Sequence, residues 1–169
     1  MSFQPPPPSV PPPPPGATPA GFDPKSVNVF DWVIIGIGAF LFIFSFFGYY
    51  TFSYFGYSES FSGWHTGGGT FPGMLAFIVG IAAAVIVALG IFLPSFKLPV
   101  PSYVAAFGLF ALSFLLYLLG FVTADIDAGF SYYLSLVAVI AGAVVSLIRA
   151  QQTNTALPGP LAGIPKILK

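Results

Sequence analysis

Between Pro72 and Pro94 the chain reads PGMLAFIVGIAAAVIVALGIFLP, with no charged or hydrogen-bonding side chain between the two prolines. Proline suits the first turn of a helix, and a second proline stops one. At 1.5 Å rise per residue, roughly 20 residues cover a hydrocarbon core of about 30 Å. A segment that crosses lipid must satisfy its own backbone hydrogen bonds, so this run reads as a transmembrane helix over 72–93. Three further stretches share its character. The first, over 29–50, reads VFDWVIIGIGAFLFIFSFFGYY; the others cover 101–122 and 130–149. Asn28 suits the N-cap of the first helix, and Asp31 complements its positive end. The expected fold is an all-α membrane protein, a bundle of four transmembrane helices over residues 25–150.

Composition excludes most alternatives. The 169 residues are 56% hydrophobic and 6% charged, with mean hydropathy +0.90. A soluble domain carries about a quarter charged residues, and five basic with five acidic side chains cannot coat a core of this size. Zero net charge argues against nucleic acid, which needs a basic patch. The absence of cysteine removes disulfides, thiolate nucleophiles and thiolate metal ligands. The ten charges all lie at span ends or in loops. A charge at a span centre costs about 3 kcal/mol, and a proton relay through the membrane needs one.

The basic residues give the orientation. Lys25, Lys97, Arg149, Lys166 and Lys169 all fall on one side when four spans are threaded, whereas the loops 51–71 and 123–129 hold Glu59, Asp125 and Asp127 and no lysine or arginine. By the positive-inside rule both termini are cytoplasmic and the protein belongs to the plasma (inner) membrane. Trp32 marks the cytoplasmic entry of the first helix, and Tyr49, Tyr50, Tyr132 and Tyr133 mark the outer interface.

The remaining segments are read from composition and spacing. Residues 1–24 contain Pro5–Pro8 and Pro11–Pro15, so they form a disordered polyproline tail; they show no basic leader followed by an apolar core, so no cleavable signal is expected. The outer loop 51–71 alternates aromatics with serine and glycine, which suits a small hairpin or an interfacial flap. Residues 151–169 form a short, mildly basic cytoplasmic tail that can rest on anionic lipid. Ala76, Gly80, Ala84 and Ala88 recur at intervals of four, as do Ala138, Gly142 and Ser146. Such stripes let helix backbones approach closely, and they are the helix-packing candidates. The phenylalanine-rich first helix offers bulk toward lipid or a partner.

No catalytic, cofactor-binding or metal-binding constellation emerges. His65 is the single histidine and has too few neighbouring ligands for structural zinc. Gly67–Gly69 lacks the spacing and the lysine of a phosphate loop. The chain therefore reads as a non-enzyme without cofactor, and three roles remain. It is a non-catalytic accessory or scaffolding subunit of a larger membrane assembly; or a stand-alone or homo-oligomeric transporter or pore for a lipid or apolar solute; or a membrane tether whose proline tract recruits a cytoplasmic partner. Its expected partners are membrane lipids and another integral membrane protein.

One resemblance bears on that choice. The proline tract, the lead FDPKSVNVFDW (Phe22–Trp32) into the first helix, and three further spans closed by a short polar tail resemble small four-helix membrane proteins of actinobacteria. Some of these look like accessory subunits of envelope assemblies, including the mycobacterial Mce-type lipid importers. The resemblance implies association with the membrane subunits of a transporter. It supplies no functional residues to match to positions here.

Overall fold

A computed structural model describes residues 24–93, 95, 98–124, 127–155 and 165. The proline tail (as far as Asp23), Lys97, Asp125, Lys166, Lys169 and most of the C-terminal tail lie outside the described residues. The described residues form four α-helices: α1 (Val29–Phe44), α2 (Phe71–Phe92), α3 (Ser102–Thr123) and α4 (Phe130–Gln152). Helices α2, α3 and α4 are long and apolar enough to cross a membrane. Helix α1 is apolar but shorter, at 16 residues. Each helix packs on two neighbours in the ring order α1–α2–α3–α4, closing back on α1.

Helix α1 does not run to Tyr50 as its hydrophobicity suggested. The Ser45 hydroxyl turns back to the Phe42 carbonyl at 2.6 Å, and the Phe46 and Phe47 amides bond to carbonyls three residues earlier. That tightening ends the helix. The chain is then taken up by strand partners: the Tyr49 amide donates to the Phe61 carbonyl and its carbonyl accepts from the Gly129 amide, both at 2.8 Å. Helix α4 differs in the other direction and continues past Arg149 to Gln152. There the Thr153 hydroxyl lies within 3.1 Å of the Arg149 and Ala150 carbonyls and closes it.

Residues after α1 form β1 (Tyr50–Tyr54) and β2 (Tyr57–Phe61), and the α3–α4 connection adds β3 (Asp127–Ala128). The three make an antiparallel sheet in the order β2–β1–β3. The alternation in the 51–71 loop therefore does become a hairpin. Because β3 lies between α3 and α4, the sheet also bonds the two loops at this end of the bundle to each other.

The core runs the length of the bundle through Ile34, Leu41, Phe77, Val87, Phe110 and Val139. Close helix approach depends on small residues. A Cβ added at Gly38 of α1 would sit 2.3 Å from the Ala84 Cβ of α2, and one at Gly120 of α3 only 2.9 Å from the Gly73 amide nitrogen of α2. Near mid-bundle the Ser113 hydroxyl donates to the Ala76 carbonyl at 2.6 Å, joining α3 to α2.

Candidate functional site

At the bundle end opposite the sheet, Asp31 in the first turn of α1 meets Arg149 in the last turns of α4. The contact is bidentate, Nε to Oδ1 at 2.8 Å and Nη2 to Oδ2 at 3.0 Å, and the side chains are only 4% and 17% exposed. Tyr103 of α3 lies under the guanidinium, with its ring centroid 5.3 Å from Cζ. Fork geometry and a ring face both favour arginine over lysine here. Three helices thus meet on one charge pair. Its groups are mutually satisfied, which suits a fastener more than a catalytic group.

At the sheet end, Tyr49, Tyr50, Tyr117 and Tyr132 form a buried cluster. The Tyr49 hydroxyl donates to that of Tyr117, the Tyr132 hydroxyl donates to the Tyr117 carbonyl, and the Tyr50 hydroxyl reaches the Thr70 carbonyl at 3.2 Å. Burial, followed by the neighbouring Tyr117, holds the Tyr49 hydroxyl well above its ordinary range, and burial pushes Tyr50 up to about 12. Both remain neutral donors at physiological pH. Three of the four tyrosines read as interface markers (Tyr49, Tyr50 and Tyr132) are therefore core residues; Tyr133 alone of that set is exposed. The adjoining turn is equally constrained, since Gly69 has φ +75° and an added Cβ would lie 2.1 Å from the Thr123 carbonyl oxygen. His65 stacks on Phe61 at 4.6 Å, and its carbonyl accepts from Thr70.

From this anchored root the hairpin leaves the bundle. Exposure rises along β1 away from Tyr50 and falls along β2 toward Phe61, on both faces alike. At about 3.4 Å per residue, the four steps from Tyr50 to Tyr54 carry the tip roughly 14 Å from its root. Register places Phe52, Tyr54, Tyr57 and Glu59 on one face, and Thr51, Ser53, Ser58 and Ser60 on the other. At the tip, Phe55 and Tyr57 are 86% and 84% exposed. Phe55 also has φ +46°, followed by Gly56 at +82°, so both turn residues are left-handed. Such turns prefer Asn-Gly, and a left-handed bulky residue costs roughly 1–2 kcal/mol. A Phe55→Asn variant is accordingly expected to stabilise the hairpin by about 1 kcal/mol, slowing amide exchange of the β1–β2 ladder about fivefold. Unchanged or faster exchange would contradict the strain.

The packing candidates divide by position. Ala76, Gly80 and Ala84 are buried, and a Cβ on Gly80 would point at Leu41 of α1, Ser113 of α3 and Val139 of α4. Gly142 is buried against the Phe110 ring, and Ser146 is buried with its hydroxyl unpaired among the described residues. Ala88 and Ala138 are half-buried and line shallow surface grooves, between α1 and α2 and between α1 and α4 respectively. The stripe on α2 is thus consumed within the chain from Ala76 to Ala84, and Ala88 is left at the rim. Sequence reasoning missed the Asp31–Arg149 pair because each residue had a sufficient local explanation. Comparison with known proteins adds nothing to this geometry: no family model, curated protein or solved structure matches the chain.

Proposed function

We propose that this chain is a non-catalytic accessory or scaffolding subunit of a larger membrane assembly, with an envelope lipid transporter as the candidate assembly. The observation that carries the reading is the hairpin: an aromatic tip standing clear of the bundle, with a strained phenylalanine where asparagine or glycine folds better. Strain persists where function retains it, and exposed aromatic patches mark interaction sites. Tyrosine and phenylalanine are also the anchors that interfaces use. The rest of the molecule supports a scaffold, because the Asp31–Arg149 pair fastens α1 to α4 and the Ser113 hydroxyl fastens α3 to α2.

All four helices cross the membrane in this reading, with both termini cytoplasmic. Helix α1 covers only about 24 Å at 1.5 Å per residue, yet it packs on α2 and α4 from Asp31 at one end to the turn at Ser45 at the other. Local thinning or tilt accommodates such a length. The Asp31–Arg149 contact is consistent with the basic residues sharing one side. Because the chain lacks cysteine, single-cysteine labelling tests the topology directly. A membrane-impermeant maleimide is expected to label Phe55→Cys in intact cells and Ser26→Cys only after permeabilisation; the reverse pattern would invert the assignment.

The role itself is tested by affinity purification from native membranes in mild detergent. A stoichiometric partner is expected with the unaltered chain. It should fall about tenfold with the triple change Tyr54→Ser, Phe55→Gly and Tyr57→Ser, equivalent to about 1.4 kcal/mol. A chain that purifies alone argues against the reading.

A further inference from the structure

The hairpin offers backbone as well as aromatic rings. In a two-residue hairpin the pair that closes the turn is hydrogen-bonded, and bonded pairs alternate from there. Tyr57, Glu59 and Phe61 therefore direct their amides and carbonyls to β1, while Ser58 and Ser60 direct theirs to the open side of β2. Among the described residues no strand covers that side. Strand β2 holds no lysine, no proline and no bulge in its continuous register with β1, which leaves the charge of Glu59 as its guard against wrong pairing.

Charge indicates what fits there. The loops at this end contain Glu59, Asp125 and Asp127 and no lysine or arginine. A second copy of β2, paired antiparallel about the strand centre, would set Glu59 opposite Glu59, and directly opposed like charges destabilise a sheet. An opposing lysine or arginine would be favourable at the same position. We propose that the open edge of β2 receives an extended, basic segment of a partner protein by strand addition. Backbone bonds from Ser58 and Ser60 supply affinity in this mode, while the Glu59 side of the sheet, with Tyr57 and Phe52, selects the side chains. The inference rests on the accessory-subunit reading and names the surface and the partner chemistry.

The test uses the full chain in native membranes, carrying the photo-crosslinker change Ser58→p-benzoylphenylalanine. Crosslinks are expected in one extended, lysine- or arginine-bearing stretch of a single protein. Ser60→Pro removes an outward donor without touching the β1–β2 ladder. It and Glu59→Lys should each lower both crosslinking and co-purification about tenfold or more, while Ser60→Ala changes neither. Each variant's melting midpoint is compared with that of the unaltered chain. If Ser60→Pro fails to fold, Glu59→Lys decides, since it leaves the backbone intact. Undiminished crosslinking in Glu59→Lys, or crosslinks only to lipid or to a second copy of this chain, overturns the edge assignment. If a partner still co-purifies in that case, the accessory reading stands; if none accompanies the unaltered chain, both fall.

Discussion

An Arg149→Leu variant is expected to lose roughly 3–5 kcal/mol of stability, because it strands the Asp31 carboxylate in a site only 4% exposed. The loss comes chiefly from the unpaired buried charge, since ion pairs of this kind barely offset their own desolvation. That distinction has a measurable consequence. Replacing both partners, Asp31→Leu with Arg149→Leu, should recover most of the loss, whereas an exposed pair would show two small and additive effects. Arg149→Lys should recover only part, since an ammonium cannot reproduce the two-pronged contact or lie flat on Tyr103. Thermal unfolding of the four proteins in one detergent decides the matter. If Arg149→Leu melts with the unaltered chain, the pair does not fasten α1 to α4.

The second large effect belongs to the small-residue seam. Gly80→Leu with Ala84→Leu forces one bulky side chain into the bundle centre against Leu41, Ser113 and Val139, and a second into the tight α1–α2 contact at Gly38. Overpacking costs typically 1–3 kcal/mol per site, and here the neighbours come from three helices, so relief at one displaces another. We expect loss of the monodisperse protein in detergent. Ala88→Leu and Ala138→Leu, drawn from the same two sequence stripes, enter shallow grooves and should change the melting midpoint little. Equal behaviour of the buried and grooved sites would contradict the packing described.

The contrast between these residues shows what a linear sequence reveals. The helices were legible because lipid-compatible stretches need roughly 20 apolar residues, a demand with few other solutions. The hairpin was legible too, since YTFSY and YSESF alternate with period two. Less visible was the end of α1. Residues Ser45–Tyr50 are uncharged and aromatic-rich, so they read as a continuation of the helix, and pairing with Phe61 and Gly129 draws them away. Tyrosine at a helix end fits both an interfacial belt and a buried ring cluster, so the type could not distinguish Tyr132 from Tyr133. Asp31 and Arg149 lie 118 positions apart, and each is accounted for locally, by the helix dipole and by topology. Period-four spacing identified small residues but not their direction, which a ring of four helices resolves: Gly80 points to its centre and Ala88 to its rim.

Native mass spectrometry of the chain, extracted from its own membranes in mild detergent, tests the account most directly. The chain contributes 17.8 kDa, and the accessory-subunit reading predicts a heteromeric species that releases this mass together with at least one different protein on activation. A spectrum containing only the chain and integer multiples of its mass would contradict that reading and point to a self-sufficient transporter or pore.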